Sequence, residues 1–460
     1  MHEETGNAAE RGGLKRTIVK ALKIFCVFLL LFAIFMLIAS YQIHSLLVYG
    51  FSGFDSKKSG PDVGALPEHP LQKYIAGFLK CESYLPDDYD RKKSIIKNIE
   101  KAIDGKFEIS AKKKANFVSA NRDLRKIAFE MAEGEPDSAE VSVPDIPETF
   151  EVLFNLNYDY AGLHEKTKIM AILTRLALND KDYISAMKFD LALMRLARAS
   201  AVGQLNYPTL VGVLIQNVVL DRASRTPAET YLSHDELFAD TAAVSFMRKA
   251  LASRVSSLGL LFGLESAFRL EGHMIRAANA KRRKAFPWTM AFLDFFYGKA
   301  EGPILSYIGE LTAAPRATFR EQFAVTKRFE ERYYGLIGGS GPNAIFLRPL
   351  RVNPLMTHMP DFSGIFHDFA SLETRGRLAT LGGLARLFHF DNGRWPDLSK
   401  DKDFAASAGP AAVDPLDGAA MRFRANSDGT MTFYSVGVDC ADNGGDKKKD
   451  LTINVKAPTR

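Results

Sequence analysis

Apolar positions follow three different patterns along this chain. From Ile24 to Phe54 there is no Lys, Arg, Asp or Glu, and Ile24 to Ala39 is an almost unbroken run of Ile, Leu, Phe, Val, Met and Ala. About 20 apolar residues suffice to cross a bilayer, so the pattern predicts a transmembrane helix over 24–48. Helical spacing follows, with Leu71, Tyr74, Ile75, Phe78 and Leu79 on one face and Ile95, Ile96, Ile99 and Ile103 on another. It is clearest in Ile169, Ile172, Leu173, Leu176 and Ala177, then in Tyr183, Ala186, Met187, Leu191, Met194 and Ala197. Near the C-terminus, Leu372, Leu378, Leu381, Ala385 and Phe388 mark one more helix. After it the period drops to two in Met421–Ala425, Thr430–Val436 and Leu451–Val455. The expected fold is mainly α: one N-terminal transmembrane helix, an α-helical hairpin domain, and a small C-terminal α+β module with an antiparallel sheet.

Breaker residues set the boundaries. Gly50, Gly53, Gly60, Pro61, Gly64, Pro67 and Pro70 make 49–70 a linker. The helical domain is expected over 71–345, interrupted near 133–148 by an acidic, proline-containing stretch. Asn179-Asp180-Lys181-Asp182 reads as a turn whose short polar side chains cap the next helix, giving an antiparallel hairpin. The pair is similar to a tetratricopeptide hairpin, but one copy does not make a repeat array. Leu210–Leu220 reads as a buried helix, because it is short and carries Gln216 and Asn217. In the module, placed at 363–460, Asp391-Asn392-Gly393 stops the helix and Trp395-Pro396 folds the exit back with the indole against it. Asn426-Ser427-Asp428-Gly429 joins two strands in a hairpin.

Charge orients the chain. Arg11, Lys15, Arg16, Lys20 and Lys23 precede the apolar run, whereas the first charges after it are Asp55, Lys57 and Lys58. The positive-inside rule makes 1–23 a cytoplasmic basic tail and places the rest outside the cytoplasm. A cleaved signal peptide is the rival, disfavoured by the length of the run and the lack of a clean small-x-small site. The net charge of +6 is spread along the chain and gives little support for nucleic-acid binding. The densest basic cluster, Lys281-Arg282-Arg283-Lys284, lies beside Phe286-Pro287-Trp288. Outside the cytoplasm it reads as an exposed inter-helix loop.

Enzymatic signatures are sparse. The nine histidines form no HExxH, and His358 and His367 flank Pro360-Asp361 without a ligand spacing. Gly338-Gly339-Ser340-Gly341-Pro342 lacks a Walker lysine and reads as a connector, and no G-x-S-x-G elbow occurs. The three cysteines form no close pair. Cys81 and Cys440 are free to join outside the cytoplasm, though nothing requires it. No residue is nominated as catalytic. An extracytoplasmic enzyme with a site assembled from distant parts of the helical domain stays open as the alternative.

One ordered set of motifs carries a resemblance. A helix, then Asp391-Asn392-Gly393-Arg394-Trp395-Pro396, then Asp414-Pro415-Leu416-Asp417-Gly418, then Phe423-Arg424, then Phe433-Tyr434-Ser435-Val436-Gly437-Val438-Asp439 resembles the globular part of type II secretion major pseudopilins. The whole chain also resembles bacterial membrane-anchored helical proteins that carry such a module. The likeness implies a bacterial inner-membrane location with the bulk of the chain periplasmic. It also implies protein partners rather than nucleic acid, and a scaffold or interaction role in secretion or envelope assembly. In the family an acidic loop binds calcium, and the matching residues here are Asp439, Asp442, Asn443, Asp446 and Asp450. Lys447-Lys448-Lys449 offers the other reading, an acidic turn neutralised without metal. A pseudopilin has Glu at the fifth position of its apolar helix and continues that helix straight into the globular part. This chain has no Glu in the apolar run and a long helical region in between, so filament assembly in the pseudopilin manner is not expected.

Overall fold

In the computed structural model the described residues are 111–134, 160–201, 226–257, 283–284, 287, 291, 306–307, 309–310, 318–337, 362–437 and 439–459. The expected transmembrane helix at 24–48, the basic tail, the linker, the helices placed at 71–79 and 210–220, and all but the last four residues of the amphipathic segment placed at 91–114 lie outside them. Among the described residues no helix is long and apolar enough to cross a membrane. The chain divides into two compact units, and nearly every described residue belongs to the one formed by 59–277, 303–335 and 359–460. That unit is mainly helical with a small C-terminal three-stranded antiparallel sheet. In the other unit Arg283 and Lys284, the described half of the basic cluster, are helical where a loop is expected.

Helices α1 (Ala111–Ala120) and α2 (Arg122–Glu133) meet at Asn121, whose buried amide donates to Phe117 O at 2.9 Å. Helices α3 (Tyr160–Asn179) and α4 (Tyr183–Ala201) form the expected hairpin. Lys181 takes a left-handed φ of 61°. Its N–H donates to Leu178 O at 3.0 Å and that of Asp182 to Ala177 O at 2.8 Å, which satisfies the last carbonyls of α3. Asp182 Oδ1 then accepts from Ser185 N at 3.1 Å, an N-cap for α4. The apolar stripe of α4 is buried in full from Tyr183 to Ala197, because α2, α3 and α5 (Thr241–Ser257) all pack around it. Ala186, Ala192 and Ala197 let those neighbours approach closely. Before α5 come helical residues at 226–232 and a 3₁₀ turn, Glu236–Ala239.

Helix α6 spans Phe319–Ile337 and α7 spans Phe362–Asn392. Gly393, at φ 71°, ends α7 by donating to His389 O at 2.8 Å, as the Asp-Asn-Gly signal predicts. A short helix α8 (Lys402–Ala408) leads to β1 (Arg422–Ala425), β2 (Met431–Ser435) and β3 (Leu451–Val455), paired in the order β1-β2-β3. Gly429, at φ 80°, turns the β1–β2 hairpin, and Phe433 sits opposite both Phe423 and Ile453.

Helix α7 has two buried faces. Leu378, Leu381 and Ala385 pack on Phe404, Met421, Met431, Phe433 and Val455 of the module. Leu387 joins Tyr231, Leu237, Phe238 and Leu251 of the helical group. Gly382 and Gly383 allow this double contact. A Cβ on Gly382 would lie 3.1 Å from Val455 Cγ2, and one on Gly383 would lie 3.0 Å from Leu251 Cδ2. The helical residues of this unit and the module share α7 as a common wall, because α7 is apolar on more of its circumference than a single sheet covers.

Candidate functional site

The motif residues of the C-terminal module converge around one arginine. Asp414 is fully buried after α8, and all its acceptor positions face donors. Its Oδ1 accepts from Leu416 N at 3.0 Å and Ser435 Oγ at 2.8 Å, and its Oδ2 from Val436 N and Arg422 Nη1 at 3.1 Å each. Burial raises the Asp414 carboxyl above its usual range, while the backbone N–H of Leu416 and the Ser435 hydroxyl pull it back. Arg422 also donates through Nη2 to Asp417 Oδ2 at 2.6 Å and through Nε to Asp442 Oδ2 at 3.1 Å. One guanidinium thus joins the 414–418 turn, β1 and the acidic loop.

The acidic loop crosses the sheet face that α7 does not cover. Arg424 Nη1 donates to Gly444 O at 2.9 Å, and Gly445 lies against the Tyr434 ring. Of the five residues with calcium-ligand chemistry, the structure brings Asp439, Asn443 and Asp450 together. The Asn443 amide donates to Asp439 Oδ2 at 3.1 Å and Asp450 Oδ1 at 3.3 Å. Asp439 Oδ1 accepts from Ala441 N at 3.0 Å and Asp450 Oδ2 from Gly445 N at 2.7 Å. Asp442 is turned away to Arg422 and Gly444 N, and Asp446 accepts from Lys448 N at 3.0 Å. Among the described residues no group of three or more His, Cys, Asp or Glu is placed to hold a metal ion. Calcium needs six to eight oxygens turned inward. Here an amide N–H stands between the two nearest carboxylates and a guanidinium holds the third, so the residues as arranged do not fit the ion.

The turn after α7 is built as its sequence suggests. Trp395 lies 4.7 Å from the His389 ring and donates through Nε1 to Gly429 O at 3.1 Å, tying the helix exit to the β-hairpin. Arg394 makes a two-pronged contact with Asp401 at 2.8 and 2.5 Å. That partner holds the Asp401 carboxyl down at about 2, and the Ser399 hydroxyl does the same for Asp397. His367 is exposed, with Asp368 at 3.9 Å, and His358 lies outside the described residues.

A second polar cluster, buried among helices, has no local sequence signature. Arg254 of α5 and Asp190 of α4 form an ion pair at 2.8 Å with both side chains fully buried. Tyr231 O–H donates to Asp190 Oδ2 at 3.0 Å, and Arg254 Nε donates to Thr380 Oγ1 of α7 at 3.2 Å. Burial pushes the Asp190 carboxyl up and the Tyr231 phenol well up, with the Arg254 charge opposing both shifts. Arg386 of α7, also fully buried, donates to Tyr231 O at 2.9 Å, pairs with Asp235 and lies 4.8 Å over the Phe238 ring. The only hint in the sequence is a charge inside an apolar stripe, as with Asp190 between Phe189 and Leu191 or Arg386 between Ala385 and Leu387. Closed off from solvent and bonded to one another, these groups fix α4, α5 and α7 against each other.

The described parts define a class, a helical group fused through one long helix to a small α+β module whose polar residues bond internally. Comparison with family models, curated proteins and solved structures finds no match for this chain.

Proposed function

We propose that this chain is a single-pass membrane-anchored protein whose extracytoplasmic part, a helical group carrying a pseudopilin-like module, is a scaffold for protein interaction in secretion or envelope assembly. The anchor and its orientation rest on the charge-free run at 24–48 and the basic residues before it. The observation that carries the scaffold reading is the state of the motif side chains. Asp414, Arg422, Arg394, Asp401 and Trp395 each meet partners within the chain, so they hold a surface in shape instead of presenting reactive groups. Arg254 and Asp190, deep in the helical group, are likewise paired with each other.

Two measurements test the proposal in cells. A C-terminal tag should be cut by protease added to spheroplasts, while an N-terminal tag should be protected until the membrane is lysed. The opposite accessibility would overturn the orientation. Photo-crosslinking from exposed positions of the module, Arg424 and Ser427, should then give discrete protein adducts that disappear when the module is unfolded. Recovery of no adduct from any position in native membranes would overturn the scaffold role.

A further inference from the structure

Helix α6 begins on the module. The first-turn N–H groups of a helix have no acceptor within it. In α6 the N–H of Phe319 donates to Pro415 O at 3.2 Å and that of Arg320 to Leu416 O at 3.0 Å. Thr318 and Glu321 complete a capping box, with Thr318 N donating to Glu321 Oε2 at 2.9 Å and Glu321 N to Thr318 Oγ1 at 3.4 Å. Gly418 closes against the same point, since a Cβ there would lie 2.8 Å from Thr318 Cγ2. The turn that receives α6 is therefore the 414–418 motif. Through Asp414 and Asp417 that motif is bonded to Arg422, and through Arg422 to Asp442 of the acidic loop.

We infer that Arg422 couples the acidic loop to the start of α6. An event at the loop that draws Asp442 off the guanidinium loosens the 414–418 turn and with it the seat of α6. The coupling is one of position, carried by a chain of hydrogen bonds in which the half-exposed Asp442 is the accessible end and the fully buried Asp414 the fixed one. It goes beyond the scaffold reading and does not depend on it.

The amides of Phe319 and Arg320 report on this contact directly, because they donate to the carbonyls of Pro415 and Leu416. Hydrogen exchange is measured at single-amide resolution on the full chain in detergent micelles. Arg422→Gln should speed exchange at Phe319 and Arg320 about tenfold, as expected from loss of charge-assisted hydrogen bonds that hold the turn. Asp442→Asn should speed it by a smaller factor. Arg424→Gln, which removes a contact to the same acidic loop but none to the 414–418 turn, should leave these two amides unchanged. Unchanged exchange at Phe319 and Arg320 in both Arg422→Gln and Asp442→Asn, with faster exchange across 439–450, would overturn the coupling. Equal acceleration in Arg424→Gln would overturn it too, by showing general loosening. If Arg422→Gln also exposes the β2–β3 amides, the module has opened and Asp442→Asn alone decides.

Discussion

Replacing Arg254 with Met tests the buried polar cluster most severely. Met fills much of the arginine volume but leaves the Asp190 carboxylate fully buried without its cation. Thr380 is not orphaned, since its hydroxyl also donates to Gly376 O at 2.8 Å, and Tyr231 still donates to Asp190. The loss is thus confined to one uncompensated charge, for which about 3–5 kcal/mol is typical. The retained Tyr231 bond places the expected cost near the lower end. Burial already raises the Asp190 carboxyl, and Arg254 opposes that rise. Without the cation it rises further, so the folded variant binds a proton more tightly than the unfolded chain does. Stability of that kind is fully present below the unfolded value, about 3.9, and falls as pH rises through the folded one. Urea unfolding of the full chain in micelles, followed by circular dichroism, should therefore show a large deficit at about pH 7 that shrinks toward about pH 4.5. Replacing the three central members together, with Asp190→Leu, Arg254→Met and Tyr231→Phe, should restore stability to within about 2 kcal/mol of the parent, because buried pairs often gain nothing over apolar packing and the remaining cost is that of the buried Thr226 hydroxyl, which loses its bond to Asp190. A single variant no less stable than the parent, or a triple variant worse than the single one, would refute the reasoning.

Other expectations follow from individual geometries. Gly437→Ala places a Cβ 2.0 Å from Lys449 O at a φ of 67° and should cost about 2–3 kcal/mol in thermal unfolding. Gly429→Ala, at φ 80° with open space around it, should cost only about 1 kcal/mol, from backbone strain alone. Calorimetric titration with calcium should give no binding heat, and chelation should leave the melting temperature unchanged. Tight binding would mean that the Asn443 amide and Arg422 yield their carboxylates to the ion. Asp401 is held at about 2 by Arg394, so its contribution is present above the unfolded value of about 4 and lost as pH falls through about 2. Trp395 fluorescence in a Trp288→Phe background should report that loss, and Arg394→Gln should move it to higher pH.

What the sequence alone determined is the local structure. The Asn179–Asp182 turn, the Asp-Asn-Gly stop after α7, the Asp-Gly hairpin and all three strands arise from signals a few residues long. Capping oxygens, left-handed backbone and a period of 3.6 or 2 act within one or two turns of chain, and the structure repeats them almost residue for residue. Even so, α7 starts at Phe362, well before Leu372 opens its clear apolar stripe, and Phe366, Phe369 and Ala370 in the added turns are buried.

Only the tertiary structure decided what those elements meet. Asp190, Tyr231, Arg254 and Thr380 come from four separate segments, and no periodicity links an aspartate in one helix to an arginine in another. The acidic residues near the C-terminus had a metal site's composition, yet their orientation depends on Arg422 and on the Asn443 amide. The seat of α6 on Pro415 and Leu416 is a bond between backbone groups, which every residue carries and no sequence pattern marks. Local chemistry is written in residue type. Convergence depends on how the buried faces of α4, α5 and α7 fit together, and that is a property of the packed chain.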